Sequence, residues 1–317
     1  MVKRITLLMT ALTLAAAGCG GQTTAASTTT TTATSTTTTA PATTAAESLP
    51  PAGQLEPGTV TGGVLIVCET VRTFLVAVPP GYSSDTPAPL LFDLHGRSGT
   101  AAGQAMTSGI TEVAWPQGYV VVYPQAAGEV ATWGSFSGWP GMDDDLAFFD
   151  LMIDTLSADL AIDEGRIFVA GFSNGGAMAA RLACERTDRF AGMASVAGSN
   201  EGWLDCEPSR PIPVMAIHGI ADQVVPFEGA AGSLPAMPDW AAWWASANGC
   251  GRDPLPTRTL TGSMLFWPVC EDGAMVILMA LDGVGHTWPQ RAQAVDENGE
   301  TVWIGASRVI VDFFSSL

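Results

Sequence analysis

Positive charge is almost missing from this chain. Of its 317 residues, 13 are Lys or Arg against 31 Asp or Glu, a formal charge of −18, and the single lysine is Lys3. A surface this acidic repels phosphate and no basic stripe offsets it, so nucleic acid is excluded as a partner. Histidine is nearly as scarce, with His95, His218 and His286 making the full set. Neither a C-x-x-C pair nor a His/Cys cluster occurs, so no metal site is expected and no cofactor. The apolar run at residues 5–17 falls short of the roughly 20 residues that a spanning helix needs.

That run reads instead as the apolar part of an export signal. Lys3 and Arg4 precede it, and it ends in Ala16-Ala17-Gly18-Cys19, small residues followed by a cysteine. The pattern resembles a bacterial lipobox with Leu14 one place further upstream than usual, which makes Cys19 a candidate for lipidation. An ordinary cleaved signal peptide with an incidental cysteine is the alternative. Residues 1–18 are thus expected to be a signal peptide. Residues 19–58, rich in Thr, Ala and Pro, have no apolar surface to offset chain ordering and are expected to be a disordered tether. The expected location is extracellular, either anchored to the outer face of the cell membrane through Cys19 or secreted. The lipid anchor is the one membrane contact foreseen.

Export permits disulfides. Five cysteines follow Cys19, and sequence proximity favours Cys184–Cys206 and Cys250–Cys270, with Cys68 free in a strand.

Residues 59–317 alternate apolar runs with helical stretches. Strands are expected at 72–78, 90–94, 119–123, 167–170, 193–197, 214–218 and 276–281, and helices at 101–115, 145–160, 238–247 and 307–314, with one more following the glycine-rich turn after 170 and running through Cys184. Strands buried on both faces and interleaved with helices imply a mostly parallel central sheet flanked by helices, in one α/β domain without a large lid. Trp240, Trp243 and Trp244 at helical spacing read as core. Asp143 to Asp145 open a helix and read as caps and dipole partners.

The chemistry concentrates at Gly171-Phe172-Ser173-Asn174-Gly175, directly after a β-like run and before a helical one. That is the context of a nucleophile elbow, whose tight turn presents the serine Oγ at the carboxyl end of the sheet. The N–H of Asn174 then faces a developing oxyanion. A serine hydroxyl needs a base. His95 and His218 each end an apolar run before a glycine and read as strand-end histidines bonded to nearby backbone. His286 sits in the glycine-rich loop 283–288 near the C-terminus, where it can reach across to the elbow. Asp222, after the 214–218 strand, completes a Ser…Asp…His order, with Asp282 as its rival. The loop after the 90–94 strand is to supply the second oxyanion donor, the N–H of Arg97, with Ser98 as alternative donor and substrate contact. Trp133, Trp139 and Trp288 lie in loops and are candidates to stack on an acyl or sugar group, Trp288 foremost, against simple packing.

Four segments, "LHGRSGTA", "GFSNGGAMAARLACERTDRFAGMASVAG", "HGIADQVVPF" and "GHTWP", together resemble the polyhydroxybutyrate depolymerase and feruloyl-esterase-like branch of the α/β-hydrolases, related to carbohydrate esterase family one. The likeness spans roughly residues 60 to 315 and implies the α/β-hydrolase fold. It also implies a triad of Ser173, Asp222 and His286, secretion, and hydrolysis of short acyl or hydroxycinnamoyl esters. The 144–149 segment resembles the family's "DD…F" helix start. Gln290 and Arg97 depart from the family pattern. The resulting expectation is a serine esterase acting on a small or polymeric carboxylic ester, hydroxyalkanoates included, through an acyl-enzyme on Ser173. An acyltransferase to a cell-envelope sugar, using the same triad, is the alternative. A lipoprotein that binds glycan without catalysis is a third.

Overall fold

Runs that are mostly apolar and buried at every position, such as Val120–Pro124 and Ala88–Leu94, have no solvent-facing side, so they form strands covered on both sides. The computed structural model describes residues 55–135, 142–200, 207–259, 261–290, 292–295 and 301–317. In chain order these form β1 (Val60–Val67), β2 (Thr70–Ala77), β3 (Ala88–Leu94), α1 (Ala101–Ser108), α2 (Ile110–Ala114), β4 (Val120–Pro124), α3 (Met142–Asp159), β5 (Ile162–Phe172), α4 (Asn174–Glu185) and β6 (Gly192–Val196). There follow β7 (Val214–Gly219), α5 (Met237–Ala247), β8 (Leu255–Thr259), β9 (Gly262–Trp267), β10 (Val276–Leu281), β11 (Ala292–Val295), β12 (Thr301–Ile304) and α6 (Ala306–Ser315).

One sheet of ten strands runs in the order β1-β2-β4-β3-β5-β6-β7-β10-β9-β8. The six central strands, β4 to β10 in that order, pair in parallel. Antiparallel strands extend both edges, β1 and β2 at one and β9 and β8 at the other. Strand pleating sends alternate residues to opposite faces. Leu90 and Phe92 therefore join one core with Phe149 of α3, Met178 of α4 and Trp244 of α5. Leu91 joins the other core with Ile110 of α2 and Phe314 of α6.

The helix expected at 101–115 is broken at Gly109. Its φ of 57° ends α1 in a left-handed cap, with its N–H on Ala105 O at 3.0 Å, and the chain restarts as α2. Among the described residues no helix is long and apolar enough to cross a membrane. Cys250 and Cys270 are bridged, as proximity favours. Cys68 departs from expectation: it lies in the tight turn between β1 and β2, at φ 47°, and is disulfide-bonded rather than free. Cys184 is bridged as well. Cys206 and Cys19 lie outside the described residues.

Candidate active site

Four loops leave the carboxyl ends of four parallel strands and meet at one point, which is where an open parallel sheet binds ligands. The loop after β5 carries Ser173. Its φ of 55° and ψ of −119° turn the chain back sharply into α4. Two glycines make this possible. A Cβ on Gly171 would strike the backbone of Gly175, and a Cβ on Gly175 would strike the carbonyl oxygens of Leu94 and His95. The second contact seats α4 directly against the end of β3. Ser173 N–H donates to Val196 O at 2.8 Å, tying the elbow to β6.

His286, after β10, places Nε2 2.9 Å from Ser173 Oγ. Its Nδ1 lies 2.8 Å from Asp222 Oδ2, at the end of β7. A carboxylate accepts, so Nδ1 carries the proton and the bare Nε2 accepts from the serine hydroxyl. Asp222 Oδ1 takes the N–H groups of Val224 and Val225 at 2.8 and 2.9 Å, which fixes the carboxylate. The Asp222 side chain is fully buried, whereas that of His286 is 17% exposed, so solvent reaches the imidazole and not its partner. Asp282, the rival carboxylate, is exposed and paired with Arg258 at 2.7 Å.

The other two histidines bond to backbone. His95 Nε2 accepts the N–H of Ala126 at 3.0 Å, so its Nδ1–H donates to Gly96 O at 2.7 Å. His218 Nε2–H donates to Val225 O at 2.8 Å and stands 3.5 Å from Asp222 Oδ2. Burial lowers the pKa of both imidazoles below the usual value, because a charged ring loses its hydration there.

Asn174 opens α4, where backbone N–H groups have no partner within the helix. Across from it, Gly99 N–H closes a turn on Gly96 O at 2.9 Å, with Arg97 and Ser98 at the corners. Ser98 has a φ of 61° and donates its N–H to Ala131 O at 2.7 Å. Ser98 is therefore no oxyanion donor, and Arg97 is the one left of the pair.

A family model described as Phospholipase/Carboxylesterase matches residues 141–236. Feruloyl esterase C of Emericella nidulans is 31% identical over 193 residues, which cover 61% of this chain and 67% of that one. The chain belongs to the feruloyl-esterase-like α/β-hydrolases. This is a group of carboxylic ester hydrolases. A relative from Aspergillus oryzae is 33% identical over 182 residues, 56% of this chain, and the match spans 63% of that relative's length. The acetyl xylan esterase from Aspergillus awamori superposes with a TM-score of 0.59 at 16% identity, covering 81% of this chain and 99% of that one. At such identity the likeness is one of fold.

On this feruloyl-esterase-like scaffold the tryptophans depart from expectation. Trp133 and Trp288 have 0% and 2% of their surface exposed and offer no face to a ligand. Trp288 Nε1 donates to Ser307 Oγ at 3.0 Å and packs in the core beside α6. Trp133 Nε1 donates to His95 O at 2.9 Å. Trp139 lies outside the described residues. Ser98 is exposed. Trp240 and Trp244 are core, as their spacing indicates. Asp145 is no cap: its carboxylate is buried against Arg72 at 2.7 Å and takes Gly134 N–H at 2.7 Å.

Proposed function

We propose that this chain hydrolyses carboxylic esters through an acyl-enzyme on Ser173. The observation that carries the reading is the unbroken line Ser173 Oγ, His286 Nε2, His286 Nδ1, Asp222 Oδ2, with both links within hydrogen-bond distance. As Ser173 Oγ attacks the ester carbonyl, His286 takes its proton and Asp222 stabilises the imidazolium. The N–H groups of Asn174 and Arg97 hold the oxyanion of the tetrahedral adduct. His286 returns the proton to the departing alkoxide, leaving an acyl-serine. Water, deprotonated by the same imidazole, attacks that ester and releases the acid and free serine. The acyl group proposed is short, hydroxycinnamoyl or hydroxyalkanoate, and the feruloyl esterase names of the relatives support the hydroxycinnamoyl class among these.

The reading includes an extracellular setting, supported by the export-like N-terminus and the Cys250–Cys270 bridge. Lipidation of Cys19 belongs to the same proposal, and Cys19→Ser is then expected to release the protein into the medium. For the chemistry, the purified chain is treated with a fluorophosphonate and assayed on methyl ferulate, p-nitrophenyl acetate and polyhydroxybutyrate. Label on Ser173 and turnover abolished by Ser173→Ala are expected. A folded protein that neither takes the label nor releases acid overturns the reading. Acyl transfer to an added sugar in place of free acid would assign the chain to the acyltransferases.

A further inference from the structure

The two groups assigned to the oxyanion come from different strands, and one short segment touches the residue framing each. Trp133 N–H donates to Asn174 Oδ1 at 2.8 Å, and Asn174 Nδ2 donates back to Trp133 O at 3.2 Å and to Ser135 Oγ at 2.7 Å. The Asn174 amide is thus gripped at both ends. The Trp133 indole reaches the other way, its Nε1–H on His95 O at 2.9 Å, while the His95 ring holds Gly96 O just ahead of Arg97. Trp133 therefore spans from the frame of one donor to the frame of the other.

What fixes the segment is buried charge. Gly134 N–H sits on Asp145 Oδ2 at 2.7 Å, and the other oxygen of that carboxylate pairs with Arg72 Nη2, also at 2.7 Å. Arg72 and Asp145 are 3% and 5% exposed, and the guanidinium lies 4.2 Å from the centroid of the Phe148 ring. A buried ion pair is a weak source of net stability against an apolar replacement, and here its carboxylate also holds the Gly134 N–H in place.

We propose that Trp133 and Asp145 are positioning residues for the oxyanion hole. Asp145 acts through Gly134, and Trp133 acts on Asn174 and His95, so that both N–H donors are set at a fixed separation before substrate arrives. This rests on the esterase reading above. Neither residue touches substrate.

The test compares the full chain with Trp133→Phe, which removes the indole donor and keeps an aromatic ring. It adds Asn174→Ala, which keeps the backbone N–H and removes the grip, Asp145→Asn, and the last two combined. On p-nitrophenyl acetate, Trp133→Phe and Asn174→Ala are expected to lower kcat about ten- to a hundredfold, the scale of a small misplacement of donors, with KM unchanged. Affinity for phenylboronic acid, which forms a tetrahedral adduct on the serine, should fall by the same factor. The combined Asp145→Asn, Asn174→Ala protein should lose less kcat than the product of the two single losses, because the two changes share the link through Gly134 and Trp133 to Asn174. Wild-type kcat and boronate affinity in Trp133→Phe and Asn174→Ala, with Tm alone reduced, would overturn the proposal. So would effects of Asp145→Asn and Asn174→Ala that multiply. If Asp145→Asn fails to fold, the other two variants decide. Absence of ester turnover by the wild-type chain would strike the esterase reading instead.

Discussion

The N–H of Ser98 is committed to Ala131 O, 2.7 Å away, which leaves the neighbouring Arg97 N–H as the proposed second oxyanion donor. The Gly96–Gly99 turn is closed by an N–H to carbonyl bond and has positive φ at its third residue and not at its second. That is the pattern of a type II turn, which favours proline at the second place. Arg97→Pro should therefore fold without strain while removing a single N–H. Loss of one oxyanion donor costs about 10²–10³ in kcat. Arg97→Ala, which keeps the N–H, should retain kcat on small neutral esters. Equal activity in Arg97→Pro and Arg97→Ala would show that this donor is not used.

Asp222 accepts three hydrogen bonds, from two backbone N–H groups and from His286 Nδ1–H, and His218 Nε2 stands 3.5 Å from its Oδ2. An amide in its place has one accepting oxygen. Asp222→Asn must leave backbone N–H groups without an acceptor or present Nδ2 to His286, which then takes the tautomer with Nε2 protonated. That ring cannot accept the serine proton. A fall in kcat of about 10⁴ is expected, with ester binding preserved. Asp282→Asn, which changes an exposed carboxylate paired with Arg258, should leave kcat near wild type. Steady-state assays of the pair decide between the two carboxylates.

The parallel strands were legible because burial on both faces removes polar residues and leaves continuous apolar runs. The triad was legible because three histidines leave few choices and each of the three motifs follows a strand. β8 was not, since Leu255–Thr259 reads Leu-Pro-Thr-Arg-Thr, an edge strand exposed along most of its length. β1 was hidden by Gly62 and Gly63, and it holds its register through the hairpin with β2. The burial of Trp133 has no signature in the sequence, because a tryptophan in a loop gives no sign of depth. Its 0% exposure comes from α3, whose Phe149 ring lies 5.7 Å from it. The link from Asp145 to Gly134 joins a helix start to a preceding loop and has no local signature.

The Cys250–Cys270 bridge ties the end of α5 to the segment after β9, away from the four loops of the site. It closes a loop with a sequence separation of 20, for which chain entropy gives about 3 kcal/mol. Replacing both cysteines by serine should lower Tm and leave kcat and KM unchanged below the transition. Calorimetry with a parallel assay checks this, and a fall in kcat for the folded variant would mean that the bridge constrains the site.

Asp93 is the one carboxylate inside β3, fully buried between Gln104 Nε2 at 2.8 Å and Ser108 Oγ at 2.5 Å. Burial pushes its pKa from 3.8 up to about 7, with the two hydrogen bonds pulling the other way. Between these values the folded chain holds a proton that the unfolded chain has released, so stability falls as pH rises from about 4 to about 7. The difference is on the order of a few kcal/mol. His95 and His218 act in the opposite sense, since burial lowers their pKa below 6.5 and stability is lost as pH falls beneath that value. In Asp93→Asn the first effect is gone, because an amide can accept from Gln104 and donate to Ser108 without charge. The variant should then melt above wild type at pH 8, and its Tm should rise with pH up to about 7 on the histidine effect alone. Thermal melts of both proteins from pH 4.5 to 8 decide the matter. A variant that melts below wild type at pH 8 would mean that the Asp93 carboxylate is ionised and stabilising in the fold.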